Sequence, residues 1–228
     1  MIQEHIIGKI TDVLDNGMVV IKAAIPNIER AILRKYDKAE VILSDGRRIT
    51  PEQRRKIYAL LGEIAEYVDG CKTAEGVEEQ KKFFKIEFML RRMESAERKI
   101  FSLSDCDVTT AREFCDFLIE FIVANGVPTR RPLINNCEDI GKYIYACLMH
   151  RKCAVCGRQA DVHHCEGSRI GSGSDRTQVH HLGREVLPLC REHHTECHNM
   201  SEAEFIEKYH LQKIRLDEQL CKRLKLRK

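Results

Sequence analysis

The sequence predicts an α+β fold, with a mixed N-terminal domain of long helices (1–150) and a small zinc-stapled domain of strand, loop, strand and helix (151–228). Two observations predict it. Amphipathic patterns with a helical period dominate the first part. Twelve of the 21 Cys and His residues lie between Cys153 and His198 in the second. A cluster of this composition is typical of a small fold held by metal ligands.

Turn residues divide the first 50 residues into short elements. The turn Asp15-Asn16-Gly17 separates two strands predicted within residues 6–26, and a short helix is predicted over 27–36. An extended segment over 39–43 and the turn Ser44-Asp45-Gly46 follow. After Ile49, apolar residues recur at the spacing of a helix.

Four longer helices are predicted after Ile49. Thr50 and Gln53 supply an N-cap and a capping-box partner for a helix over 51–68. The other three helices are predicted over 77–93, 109–124 and 138–150.

The net charge of +3 is unevenly distributed. Residues 151–228 hold 15 Lys and Arg against 11 Asp and Glu, whereas residues 1–150 hold 23 against 24. The last eight residues, CKRLKLRK, carry five positive charges. This basic tail predicts sequence-independent affinity for DNA phosphates, with Lys222 and Arg223 as candidate contacts, and an ordinary solubilising tail is the alternative.

The sequence predicts a cytoplasmic protein with no membrane association. No apolar run approaches the roughly 18 residues of a membrane span. The N-terminal residues MIQEHIIGKI lack the pattern of a secretion signal. Thiols stay reduced in such a compartment, so the 11 Cys are expected to be metal ligands or buried apolar residues before disulfides.

Two short motifs predict a structural zinc site. Cys153-x2-Cys156 and Cys190-x2-His193 are separated by 33 residues. Together they form a Cys3His set, and thiolate and imidazole ligands suit four-coordinate Zn²⁺.

Four further histidines do not belong to that set. His163 and His164 lie in a β-like stretch, whereas His194 and His198 are four residues apart and share one face of a predicted helix. Three imidazoles leave a divalent ion with open positions for phosphate and water, and a fourth, uncoordinated His can act as a base.

The order CxxC, VHH, LPLCREHH and then a His four residues on resembles that of phage HNH (ββα-metal) endonucleases. The resemblance implies that His163, His194 and His198 bind a catalytic Mg²⁺, Mn²⁺, Ni²⁺ or Zn²⁺ ion. It implies that His164 is the general base that activates water. The implied products carry a 5′ phosphate and a 3′ hydroxyl.

One position departs from the family pattern. Glu185 stands where the family has its central Asn, which orients the catalytic His. Glu185, His180 or His181 can take this role, or it is absent. In the loop before this position, Arg169 and Arg176 are candidate contacts to DNA phosphates, and a solvated loop is the alternative.

A second resemblance concerns the N-terminal domain. The runs RRITPEQRRKIYALLGEIAEYV (47–68) and DVTTAREFCDFLIEFIVANGVPT (107–129) are similar to phage lambda-type Orf (NinB) recombination mediators. The resemblance implies single-stranded DNA binding, a homodimer, and phage recombination or single-strand-binding proteins as partners in a bacterial host cell. Candidate DNA contacts are Arg54, Arg55 and Lys56, with a solvated helix face as the alternative.

The leading hypothesis is a metal-dependent HNH endonuclease that acts on DNA in phage or prophage recombination or DNA processing. The second is a zinc-stapled recombination mediator with an inactive nuclease site. A secreted nuclease toxin is disfavoured because no signal segment is evident. A metalloprotease is disfavoured because HTECH lacks the Glu of HExxH.

Overall fold

The protein has an α+β fold, and its computed structural model describes residues 8–25, 27–35, 46–92, 100–168 and 179–227. Within these ranges a two-stranded sheet and a three-stranded sheet are joined by helices. None of the helices in these ranges combines the length and the apolar character that a membrane span requires. The predicted extended segment over 39–43, with Ser44 and Asp45 of its turn, lies outside the described residues.

An antiparallel hairpin opens the described part of the chain. Its strands, β1 (Gly8–Val13) and β2 (Val19–Ala23), pair across the predicted turn Asp15-Asn16-Gly17. Helix α1 (Ile28–Arg34) follows, and the side chain of Asn27 accepts a backbone hydrogen bond from its first turn. The two predicted strands and the short helix are therefore confirmed.

The first long helix, α2 (Pro51–Asp69), begins at the predicted capping box. The Thr50 hydroxyl accepts from the backbone N–H of Gln53, and the Gln53 side chain accepts from the backbone N–H of Thr50, both at 3.1 Å. These two bonds satisfy N–H groups that the first turn of a helix otherwise leaves unpaired. Gly70 ends the helix in the left-handed conformation, with φ of 74°.

Three more helices confirm the remaining N-terminal predictions, with ends shifted by a few residues. They are α3 (Ala74–Arg91), α4 (Val108–Asn125) and α5 (Ile140–Met149). Helix α3 begins earlier than predicted because the Thr73 side chain caps it. Helix α4 packs against α2, α3 and α5 and lies at the centre of this layer.

Aromatic side chains fill the space between α3 and α4. The ring of Phe114 is fully buried, and its centroid lies 5.4 Å from that of Phe88 and 5.3 Å from that of Phe101, both edge to face. Phe84 and Phe121 form a similar pair at 4.7 Å. Each such pair adds about 0.5–1.5 kcal/mol beyond the area it buries, so this cluster fixes α3 against α4.

The C-terminal part contains the predicted strand, strand and helix. Strands β3 (Asp161–His164) and β4 (Glu185–Leu189) are antiparallel, and His163 pairs with Leu187 in their register. Helix α6 (Arg191–Asn199) begins two residues after β4 ends. Helix α5 packs on β4, whose last four residues are buried.

Further elements complete this part: α7 (Glu202–Tyr209), β5 (Ile214–Arg215) and α8 (Glu218–Leu224). Strand β5 pairs with β4, which gives the sheet order β3-β4-β5, and α8 packs on α5. The basic end of the chain, predicted as a tail, thus forms a helix as far as Leu224. Its buried Leu220 and Leu224 are one helical turn apart, and their burial anchors it.

Truncation of Phe114 tests the aromatic cluster. We expect Phe114→Ala to lower the free energy of unfolding by about 3–5 kcal/mol, because it leaves a cavity among buried rings. Phe83→Ala is the matched control, because that ring is 54% exposed on α3. Urea unfolding followed by circular dichroism measures both variants, and equal midpoints would contradict the role given to the cluster.

Candidate metal centres

Four ligand side chains converge between the end of α5 and the start of α6. Cys153 and Cys156 lie in a tight loop in which Cys153 donates its backbone N–H to the carbonyl of Arg158 (2.7 Å). Cys190 is the N-cap of α6, and His193 lies in its first turn. The four ligand atoms all lie within 4.8 Å of one another. The structure thus brings the predicted Cys3His set together.

The spacing of these atoms fits a tetrahedral ion. Nδ1 of His193 lies 3.2 Å from Sγ of Cys190 and 3.6 Å from Sγ of Cys153. The Sγ atoms of Cys156 and Cys190 are 3.7 Å apart. Tetrahedral bonds of about 2.3 Å for Zn–S and about 2.0–2.1 Å for Zn–N place the ligand atoms about 3.6–3.8 Å apart. Two of the three distances match this range, and the Cys190–His193 distance is shorter. The cluster can therefore hold a metal ion such as zinc.

The charges around this cluster also favour a bound cation. Burial raises the pKa of the Cys153 thiol to about 12. Burial opposes ionisation of Cys156 as well, but hydrogen bonds from Arg158 outweigh it and lower the pKa of that thiol. The Arg158 Nε lies 3.2 Å from Sγ of Cys156, and its guanidinium also pairs with Glu192. Because three adjacent thiolates repel one another, a cation between them stabilises their ionised form.

A second group of ligands lies between β3 and α6. His163 comes from β3, and His194 and His198 come from one face of α6. The ring centroids are 4.7–5.2 Å apart, and the ligand nitrogens lie within 4.8 Å of one another. The i, i+4 spacing on α6 aligns the two helical rings, and β3 delivers the third.

The two groups differ in their access to solvent. In the Cys3His cluster all ligands except Cys156 are buried. In the second group His163 is buried, whereas His194 is half-buried and His198 is exposed. Closed four-ligand sites are typical of structural metals, and three-ligand sites with open positions are typical of catalytic metals.

A buried carboxylate faces His163. Oε2 of Glu202 lies 3.7 Å from Nε2 of His163 and accepts the backbone N–H of Glu166 at 2.7 Å. The other oxygen of Glu202 pairs with Lys213. Burial opposes ionisation of Glu202, but these partners outweigh it and lower the pKa of the carboxyl. A carboxylate behind a metal-ligating His is a common outer-shell partner, and it raises the basicity of the imidazole.

His163 itself is in the form that binds metals. Burial, together with the neighbouring His194 and His198, lowers the pKa of His163 to about 4. The ring is therefore neutral near pH 7, and neutral imidazole is the ligating form.

His164 and Glu185 lie on opposite faces of the sheet. His164 pairs with Val186 in the register of β3 and β4, so those two side chains share one face. Glu185, one residue earlier, points to the other face, where its Oε1 lies 3.3 Å from Nε of Arg215. Nε2 of His164 instead lies 3.0 Å from Nδ1 of His181.

The comparison with protein families agrees with this arrangement. The profile of the family described as "Putative HNHc nuclease" matches residues 25–227. The chain belongs to this HNH nuclease family. No match was found among curated proteins or among solved structures. Because the matched range includes α2 to α5 as well as the histidine site, the N-terminal helices are part of the family pattern.

The basic residues proposed from α2 differ in their surroundings. The Arg54 guanidinium donates to the carbonyl of Ser104 at 2.6 Å. Lys56 pairs with Glu52 at 3.3 Å, and Arg55 is exposed. On this helix, Arg55 is thus the candidate whose side chain extends into solvent.

The C-terminal candidates lie on α8. Lys222 is exposed, and Nε of Arg223 donates to the carbonyl of Met149 at 2.9 Å. Arg169 and Arg176 lie outside the described residues.

Sequence reasoning missed three residues at these sites. Arg158 follows Cys156 by two residues, and an Arg so close to a CxxC motif was a readable signal. Glu202 and Lys213 had no such signal, because only the packing of α7 and the chain before β5 brings them to His163.

Replacement of one Cys3His ligand tests the closed cluster in this HNH nuclease family member. We expect the purified protein to retain one metal ion through dialysis and Cys153→Ala to lose it, because a fully buried ligand disappears. The expected loss of stability is several kcal/mol and reaches about 10 kcal/mol where metal binding drives folding. Elemental analysis and thermal unfolding measure these quantities, with the exposed Cys71→Ala as control. Equal metal content in both variants would refute the cluster as a metal site.

Proposed function

We propose that the chain is a metal-dependent endonuclease that hydrolyses phosphodiester bonds in DNA. The observation that carries the proposal is the convergence of His163, His194 and His198 on one open site, with His164 as the residue that follows His163 on β3. Membership in the HNH nuclease family supports DNA as the substrate.

Each histidine has a role in this proposal. His163, His194 and His198 would hold a divalent ion, Mg²⁺, Mn²⁺, Ni²⁺ or Zn²⁺. When bound, this ion would neutralise charge on the scissile phosphate and on the leaving 3′ oxygen. His164 takes a proton from water, so that the resulting hydroxide attacks the phosphorus. The P–O3′ bond then breaks, and the 3′ oxygen leaves with the electron pair and takes a proton from solvent water. The products carry a 5′ phosphate and a 3′ hydroxyl.

The closed cluster has a separate, structural role. We propose that Cys153, Cys156, Cys190 and His193 hold Zn²⁺ and that this ion fixes the start of α6. The support is the tetrahedral spacing of the four ligand atoms and the burial of three of them.

Our proposal also extends to the rest of the chain. Residues 1–150 would form a DNA-binding domain like that of Orf-type mediators, and residues 151–228 would form the nuclease domain. Single-stranded DNA, a second copy of the chain and phage recombination or single-strand-binding proteins are the proposed partners, in the cytoplasm of a bacterial host. The support is the sequence resemblance of 47–68 and 107–129 and the exposure of Arg55 on α2.

One observation favours a second function. Glu185 occupies the position of the family's central Asn, and its carboxylate pairs with Arg215 on the face opposite to His164. If no other residue orients His164, the nuclease site is inactive. The chain is then a recombination mediator that binds single-stranded DNA and is held together by structural zinc.

A cleavage assay separates these functions. We expect the wild type to nick supercoiled plasmid and to cut single-stranded DNA with at least one of Mg²⁺, Mn²⁺, Ni²⁺ or Zn²⁺. We expect His164→Ala to lower the rate by about 10²–10⁴-fold, because it removes the base. His210→Asn is the matched control, because His210 is exposed and Asn tolerates its left-handed conformation. Equal rates for wild type and folded His164→Ala would end the enzymatic proposal.

DNA binding by the same full-length proteins tests the mediator function. We expect His194→Ala to abolish cleavage and to leave binding of a labelled single strand within about twofold, because backbone affinity comes mainly from Lys and Arg. Fluorescence anisotropy measures this binding. Tight single-strand binding without cleavage by the wild type would favour the mediator, whereas loss of binding in His194→Ala would place the strand on the histidine site.

A further inference from the structure

His164 has a second histidine as its neighbour. Nδ1 of His181 lies 3.0 Å from Nε2 of His164, and the ring centroids are 5.1 Å apart. Only 1% of the surface of His181 is exposed. The large majority of buried polar side-chain atoms in proteins have a hydrogen-bond partner. At 3.0 Å, one of the two nitrogens donates a proton and the other accepts it.

The backbone around His181 is held in place by the C-terminal part of the chain. The backbone N–H of His181 donates to the carbonyl of Arg227 at 2.9 Å. Arg184, three residues after His181, is held by two bonds. Its carbonyl accepts from the backbone N–H of Leu216 at 2.9 Å, and its guanidinium donates to the carbonyl of Ser168 at 2.8 Å. Because the main chain is held at His181 and at Arg184, the ring of His181 can hold another ring in one orientation.

The position of Glu185 makes this contact important. The pairing of His164 with Val186 sends the Glu185 carboxylate to the other face of the sheet, where Arg215 binds it. The residue at the position of the family's Asn thus lies on the face of His163, which pairs with Leu187, and not on the face of His164. His181 is a buried polar side chain that contacts His164.

We infer that His181 is a positioning residue for His164, an inference that rests on the proposed nuclease activity. Nδ1 of His181 accepts the proton carried by Nε2 of His164. This bond fixes the tautomer of His164, so its lone pair lies on Nδ1, and it also fixes the plane of the ring. During the reaction an O–H bond of water breaks and an N–H bond forms at Nδ1 of His164. The bond from Nε2 of His164 to His181 is kept throughout.

A matched pair of substitutions isolates the hydrogen bond. In His181→Asn, the amide oxygen is attached to Cγ, as Nδ1 is in His, so it can accept the same proton. In His181→Leu, a methyl group occupies this place and accepts nothing. Both replacements are smaller than the imidazole, so they share any cost of the lost ring atoms. Glu185→Gln, measured in parallel, tests the sequence-based expectation for that residue.

Two readouts are needed. We expect His181→Leu to lower kcat by about 10–100-fold with little change in KM, a range typical of lost outer-shell hydrogen bonds, and His181→Asn to stay close to wild type. The second readout does not depend on cleavage. Long-range ¹H–¹⁵N correlation spectra of the metal-loaded, ¹⁵N-histidine-labelled protein report which nitrogen of His164 carries the proton. We expect Nε2 in the wild type and in His181→Asn, and a mixture of tautomers in His181→Leu.

The outcomes are distinct. An Nδ1–H tautomer of His164 in the wild type would overturn the inference, as would equal kcat values for wild type and His181→Leu. Equal losses in the Asn and Leu variants would overturn it too, because acceptance of the proton would then not matter. A loss in Glu185→Gln with His181→Leu unaffected would assign the role to Glu185. If the wild type cuts no DNA but its His164 tautomer depends on His181 as expected, the proposed function fails and the positioning contact stands.

Discussion

The position of helix α6 is the constraint on which both candidate metal centres depend. Cys190 and His193 bring the start of this helix into the Cys3His cluster, while His194 and His198 extend from it toward His163. Successive residues of a helix are rotated by about 100°, so the two ligand pairs occupy neighbouring faces of the same helix. An ion in the closed cluster would therefore fix the rotation of α6 and, with it, the direction of the two imidazoles of the open site.

Helix α6 buries few side chains and is held mainly by polar contacts, such as that of Glu196 with Lys208 and Tyr209. Its nine residues are fewer than the roughly 12–15 at which an isolated helix becomes even marginally stable. Its N-cap, Cys190, makes no side-chain capping bond, and the buried residues of the helix are His193 and Cys197. Helix α4, by contrast, buries seven residues, among them the large side chains Phe114 and Leu118. Apolar burial thus positions the helical layer, whereas an ion bound by Cys190 and His193 would position the helix that carries the site.

Sequence alone predicted the features that depend on short-range spacing. The capping box of Thr50 and Gln53, the order of β3, β4 and α6, and the two ligand sets all follow from patterns within a few residues. His181 was one of three candidates for the residue that orients His164, and sequence alone did not choose among them. The contact of Glu202 was not predictable, because 39 residues separate it from His163. The spacing of Leu220 and Leu224 was a signal for helix α8, but the five basic residues among the last eight favoured the interpretation as a tail.

The charges of the two ligand sets argue for different roles. Three thiolates more than offset the charge of a divalent ion, and Arg158, which contacts Cys156, is itself paired with Glu192, so the closed cluster presents no positive charge to DNA. Three neutral imidazoles add no negative charge. Glu202, the nearest buried carboxylate, is itself neutralised by Lys213. A divalent ion at the open site would keep nearly its whole charge for a phosphate, and this difference in ligand charge is a physical reason to assign structure to one centre and catalysis to the other.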